Sequence, residues 1–219
     1  MSSSNLYRMG GLALILGALI MSVSSWFRFT GQDLATGVQP FFATSWFITF
    51  VGALFVLLGL PAMYVYQSHK AGKLGLIGFV LTFLGIAILE VGSAVLDGFV
   101  RPLLAANPEA AIQLLAQPGN LEAQMGAGFS TAFLVGFLGL NLGLIIYGIA
   151  MLRARVFPRW AAVMMIIGVP ALFLLGSIPW VGAKPEVLIF LGWAWCGLVL
   201  MRGTKPSTQP VIMPVPQAA

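Results

Sequence analysis

Six long apolar runs, separated by gaps whose charges alternate in sign, constrain this chain more than any motif it carries. The runs read Met9 to Phe27, Phe41 to Tyr66, Leu74 to Val100, Gly126 to Leu152, Trp160 to Ile178 and Val187 to Met201. Most approach the ~20 apolar residues that a helix rising ~1.5 Å per residue needs to cross ~30 Å of hydrocarbon. The sixth is short. In lipid, backbone N–H and C=O groups must be satisfied within the chain, so runs of this length fold as helices. The pattern predicts an all-α polytopic membrane bundle of six transmembrane helices over residues 1–202. A disordered tail over 203–219 follows, carrying Pro206, Pro210, Pro214 and Pro216.

Composition agrees, because 59% of residues are hydrophobic and only 8% charged, whereas about a quarter are charged in a soluble domain. The net charge of +5 reflects the excess of Lys and Arg that orients membrane helices and implies no nucleic-acid partner. Cys196, the single cysteine, lies inside the last run, which excludes a disulfide framework and a Cys-x-x-Cys pair. The first run shares features with a secretory signal peptide: Arg8, an apolar stretch from Leu12 to Met21, and Ser22 to Ser25. Its apolar character continues through Trp26 and Phe27, an interfacial anchor, so it is read as a retained helix.

Placing the amino terminus inside puts Arg8, Lys70, Lys73, Arg153, Arg155, Arg159, Arg202 and Lys205 on one side, eight of the eleven basic residues. Arg28, Arg101 and Lys184 fall on the other, with Asp33, Glu109, Glu122 and Glu186. Basic residues in short loops carry the orientation signal, so both termini are expected in the cytoplasm. The third outer connection, Arg101 to Met125, has room for a short surface helix. Asn107 would cap it, Pro108 would open it, and Glu109, Gln113 and Gln117 would oppose Ile112 and Leu115.

Small residues recur in stripes: Gly10, Gly17 and Ser24; Ser45, Gly52 and Gly59; Gly78, Gly85 and Gly92; Ala132, Gly136, Gly139 and Gly143. Helices in lipid associate by close backbone approach along such faces, so the stripes mark seams of a compact bundle.

Glu90 does not fit this pattern. It lies sixteen residues into the third run, ~24 Å from the cytoplasmic start, where a carboxylate facing lipid costs at least ~2.5 kcal/mol. It is therefore expected to face inward, on one face with Ser93, Asp97 and Arg101. Depth along the other runs suggests that Ser45, Thr49, Ser130 and Thr131 share its level, while Asn141 lies too deep. These residues would line an outward-facing pocket that takes a proton, a cation or a small amphiphilic ligand, with Asp97 near the mouth. The alternative is that Glu90 pairs with Arg28 or Arg101, and Asp97 with Arg101 at i, i+4, only to lock helices together.

Nothing else reads as chemistry. His69 is the only histidine, so bis-histidine haem ligation within the chain is impossible; a metal site is not expected and no cofactor is implied. No Gly-x-Ser-x-Gly elbow, phosphate loop or His-Glu-x-x-His occurs. The basic turn at Arg153, Arg155 and Arg159 suits anionic lipid headgroups at the cytoplasmic face, although orientation and aromatic anchoring are the plainer explanation. This turn, Arg-Ala-Arg-Val-Phe-Pro-Arg-Trp-Ala over 153–161, together with Leu60-Pro61 to Gln67 and Gly78-Phe79, resembles an uncharacterised bacterial family of six-span membrane proteins. The resemblance spans runs two to five, implies a bacterial inner-membrane location, and brings no mechanism.

The function expected from the residues is therefore non-enzymatic: binding or moving a small amphiphilic or cationic solute at Glu90. The competing expectation is an accessory or structural subunit of an oligomer or larger membrane complex, with no ligand of its own. Enzymatic acid-base work stands third, because a lone carboxyl has no visible second group.

Overall fold

The computed structural model describes residues 3–27, 41–107, 109, 126–176, 178, 181 and 184–203. Among them every regular element is helical. In chain order these are α1 (Ser3–Phe27), α2 (Phe42–Gly85), a wide π turn (Ile86–Glu90), α3 (Val91–Val95), a second π turn (Leu96–Val100) and α4 (Arg101–Ala105). After the third connection come α5 (Ala127–Ala154), α6 (Arg159–Leu175), a 3-10 turn (Lys184–Glu186) and α7 (Val187–Arg202). The expected surface helix between Pro108 and Met125 and the tail after 203 lie outside the described residues. Asn107 closes the helix before it, its side-chain nitrogen donating to the Leu103 carbonyl at 2.8 Å.

Helical hydrogen bonding runs from Phe42 to Leu104, 63 residues, but this stretch is a hairpin rather than a rod. Gly72 breaks it with φ 58 and ψ −157. Tyr64 and Phe79 stack with centroids 4.7 Å apart, whereas fifteen residues of straight helix would separate them by about 22 Å. Phe47 and Phe50 both meet Phe99 at 6.2 Å, so the arms 42–71 and 73–105 stay paired along their length. The basic turn therefore shrinks to one residue, because only glycine readily adopts that φ/ψ region. A Cβ there would meet nothing within 4 Å, so Gly72→Ala isolates the backbone cost. That substitution is expected to lower unfolding stability by about 1–3 kcal/mol, read by thermal unfolding in detergent.

The next reversal is the basic turn between α5 and α6, where three residues have a structural task. Arg155 takes a left-handed conformation, φ 53, and its N–H closes α5 on the Met151 carbonyl at 3.0 Å. Phe157 is buried and packs its ring 5.5 Å from that of Tyr66, and Pro158 leads into α6.

The small-residue stripes form the seams between rods. A Cβ on Gly17 would stand 2.7 Å from the Val56 nitrogen, and one on Gly59 2.7 Å from the Gly10 carbonyl, which sets α1 against the first arm of α2. Gly78 and Gly85 receive the backbone of Tyr147 and Leu140, while Gly136 and Gly143 receive Ile88 and Thr82, which sets the second arm against α5. Ala132 departs from its stripe and is exposed. Gly148 meets α6 at Ile166, Gly168 and Gly192 join α6 to α7, and Gly11 abuts Gly197 to bring α7 back to α1. The paired numbers fall along one partner as they rise along the other, so each neighbouring pair is antiparallel. Six rods thus close an up-and-down ring, which an even number permits.

The outside of the ring is aliphatic, with Leu58, Leu103, Leu134 and Leu174 all more than 55% exposed. Four stretches, Asn5–Trp26, Phe42–Leu104, Ser130–Ala154 and Lys184–Arg202, are long and apolar enough to cross a membrane, the second as two arms. Helix α6 is apolar and shorter, 17 residues. Arg8, Lys70, Lys73, Arg153, Arg155, Arg159 and Arg202 all lie at or near rod ends on one side of the ring, hereafter the basic end.

Candidate functional site

Helix α5 has 28 residues, whereas α6 and α7 have 17 and 16, so the facing ends of the two shorter rods sit inside the level reached by their neighbours. Phe173, near the end of α6, meets Phe137 at 5.6 Å, ten residues inside the start of α5. The shortness of α7 draws Glu186, the residue that precedes it, down to the level of Glu90.

Glu90 is the last residue of the first π turn, closed by the Val91 N–H on the Ile86 carbonyl. A spacing of four drifts by ~40° per step in a regular α-helix, and the widened turn offsets that drift. Thr82, Ile86, Glu90 and Ala94 consequently share one buried face, with Glu90 9% exposed.

A cavity of about 180 Å³ opens at this level inside the ring. Glu90 and Ser93 line it from the second arm of the hairpin, Asn141 from α5, and Glu186 and Trp193 from the α7 side. Phe137 and Phe190 add aromatic faces. Two carboxyl groups, a buried one from the second arm and a half-buried one from the turn before α7, thus line one cavity together with aromatic rings. Carboxylates attract a cation more strongly there than in water, and ring faces favour an organic one. Among the described residues no group of three His, Cys, Asp or Glu is placed to hold a metal ion.

The residues expected at this site separate into four groups. Glu90 and Ser93 stand in the cavity wall. Asp97 does not: its carboxylate accepts from Arg101 Nε at 2.6 Å, four residues on, and both side chains are buried near Phe42. Ser45 and Thr49 are spent in the α1–α2 seam. Ser24 Oγ donates to the Ser45 carbonyl at 2.9 Å and pairs with the Thr49 hydroxyl, and Ser45 Oγ donates to the Phe42 carbonyl at 2.8 Å. Ser130 and Thr131 lie near the start of α5, outside the cavity lining, with Thr131 exposed.

Asn141 corrects the depth estimate, since it lines the same cavity as Glu90. Helical side chains lean toward their own N-terminus, and the two helices run in opposite directions. Glu90 therefore leans toward the basic end and Asn141 away from it, so both reach one cavity. Asn141 Nδ2 also donates to the Phe137 carbonyl at 2.8 Å. Glu186 and Trp193 were not anticipated. The one available signal was the shortness of the sixth apolar run, which pulls its flanking acid inward. Arg153, Arg155 and Arg159 are all exposed at the basic end, where an anionic headgroup could reach them.

Comparison of the chain with protein-family models, curated proteins and solved structures gives no match.

Proposed function

We propose that this chain is a six-span integral membrane protein, non-enzymatic, that binds a small organic ammonium inside its helical ring and is built to move it. The observation that carries this reading is the convergence of Glu90 and Glu186 on one aromatic-lined cavity. Its volume, about 180 Å³, equals that of about six waters at ~30 Å³ each, room for an ammonium with a handful of heavy atoms. Trp193 fits the same reading, because its buried indole N–H has no hydrogen-bond partner among the described residues and would suit an acceptor oxygen on the solute.

The exposed aliphatic belt argues for lipid around the ring, and the gathering of basic residues at one end argues that this end and both termini are cytoplasmic. A bacterial inner membrane is the location that the resemblance of the 153–161 turn suggests, with Arg153, Arg155 and Arg159 facing anionic lipids there. The cavity then belongs to the outer half, beneath the α6–α7 connection. An accessory subunit without a ligand is the weaker reading, since the glycine seams that could have served a partner are largely occupied within the chain itself.

Purified protein in mild detergent should be stabilised by millimolar tetramethylammonium or ethylamine, since a ligand that binds only the folded state raises its stability by RT ln(1 + [L]/Kd). Glu90→Gln, nearly isosteric, should unfold at about the wild-type temperature without ligand and lose the ligand-induced rise. A rise that persists in Glu90→Gln, or none in the wild type across a series of small amines, would refute the assignment.

A further inference from the structure

A second set of buried polar groups lies deeper in the ring, between the Glu90 cavity and the basic end. Gln67, Thr82 and Tyr147 are each fully buried. No hydrogen bond of good geometry reaches the Gln67 amide nitrogen or oxygen, the Thr82 hydroxyl or the Tyr147 hydroxyl among the described residues, although the phenol and the amide lie close enough to interact. The Tyr147 phenol faces the Gln67 side chain, with Tyr64 and Cys196 beside it. Thr82 belongs to the same stretch of seam. A Cβ on Gly78, one turn before Thr82, would stand 2.6 Å from the Tyr147 nitrogen. One on Gly143, a turn before Tyr147, would stand 2.8 Å from Thr82 Oγ1.

Orphaned polar atoms are rare in protein interiors, and pairing the Tyr147 phenol with the Gln67 amide would still leave the Thr82 hydroxyl and the rest of that amide open, which calls for a small guest that both donates and accepts. Water meets that description, since a buried molecule makes two to four hydrogen bonds of this kind. Thr82 shares a buried face with Glu90, two turns or ~12 Å away, and Glu90 leans toward it while Asn141 leans back across the interval. Gln67 stands five residues, ~7 Å, from the Gly72 turn at the basic end.

We propose that Gln67, Thr82 and Tyr147 form an internal hydration site that links the Glu90 cavity to the basic end as a route for protons. A proton leaving the Glu90 carboxyl passes to the first water. Each water or hydroxyl along the file accepts one proton and releases one, and one emerges at the basic end. Glu90 is left as the carboxylate that holds the cation, so this route rests on the cation reading of the same cavity and makes the proton its counter-ion.

Two measurements test it. Pulsed X-ray radiolysis of the intact protein generates hydroxyl radicals from buried water. Met63 and Met151, one turn from Gln67 and Tyr147, should be oxidised at least about five-fold faster than Met165, which is equally buried elsewhere in the core. Tyr147→Phe and Gln67→Met should remove that excess while leaving Met165 unchanged. Equal oxidation of the three methionines overturns the hydration site. In proteoliposomes loaded with a pH-sensitive dye and clamped with valinomycin, a pH step should decay at least about five-fold faster than in protein-free vesicles, and Tyr147→Phe or Glu90→Gln should abolish the difference. Decay no faster than in empty vesicles, or undiminished in the variants, overturns the route even where radiolysis finds water. External tetramethylammonium should slow the decay by occupying Glu90. Proton flux that is indifferent to the cation defeats the cation reading and with it the counter-ion role of the proton, and leaves only the water-borne path between Glu90 and the basic end.

Discussion

Gly85→Ala is expected to be among the most damaging single-methyl additions in this chain, lowering stability by about 3 kcal/mol or more and leaving much of the protein unfolded at 37 °C. In an isolated helix the same change would help by about 1 kcal/mol, because alanine is the better helix former. The sign reverses at this position because an added Cβ would fall 2.5 Å from the Leu140 Cα and closer still to its nitrogen. A flexible side chain could swing away, but a backbone held in the antiparallel seam between α2 and α5 cannot move without separating the two rods. Gly78 and Gly143 stand along the same seam, so separation at Gly85 would also loosen the contacts that hold Tyr147 and Thr82. Gly128→Ala is the matched control, since Gly128 is exposed near the start of α5 and an added Cβ would meet nothing within 4 Å. It should be neutral or stabilising by up to ~1 kcal/mol. Unfolding of both variants in mixed micelles at increasing SDS reads the difference, and equal stabilities would mean that the seam is looser than its geometry requires.

The seams were legible in the sequence because their cause is local: a helix period of small residues requires only the chain's own spacing. The same holds for the basic end, which follows from Lys and Arg in short gaps. The candidate site was legible only through Glu90, whose depth in an apolar run is unusual on its own terms, and Ser93 came with it by helical spacing. What failed was the step from depth along a run to position in space. Counting residues inward assumes that all rods begin at one level and that side chains leave the helix squarely. Here α6 and α7 are eleven and twelve residues shorter than α5, which lowers Glu186 to the level of Glu90, and opposed leaning brings Asn141 into the cavity that Glu90 lines. Hydroxyls were harder still to place. Ser45 and Thr49 have the depth required, but the Ser45 hydroxyl donates to the Phe42 carbonyl of its own helix and the Thr49 hydroxyl pairs with Ser24, since a hydroxyl in a tight seam is satisfied by nearby backbone and hydroxyls before it can serve a ligand. The two π turns have no marker in the residues, yet one of them keeps Glu90 on the face it shares with Thr82.

Asp97→Ala should cost about 3–5 kcal/mol, the second large effect, because it takes a close carboxylate partner from a buried guanidinium that cannot shed its charge. Arg101 Nε lies 2.6 Å from the Asp97 carboxylate, and the two side chains are only 8% and 12% exposed, so solvent screens the pair little. Arg101→Ala removes the opposite partner and leaves a carboxyl, which can take up a proton and become neutral. Its cost should therefore be smaller. A competing contribution comes from Phe42, whose ring lies 5.7 Å beneath the Arg101 guanidinium and joins the start of the first arm to the end of the second. If that contact rather than the ion pair dominated, Arg101→Ala would be the costlier change and the order would invert. The double variant Asp97→Ala with Arg101→Ala removes both charges and should be less destabilised than the two single costs summed, by at least ~1.5 kcal/mol, the coupling expected of buried charges in contact. Additive costs would mean that Asp97 and Arg101 are each held by other neighbours, and that closure of the hairpin mouth depends on Phe42 and Trp46 packing against Ala94.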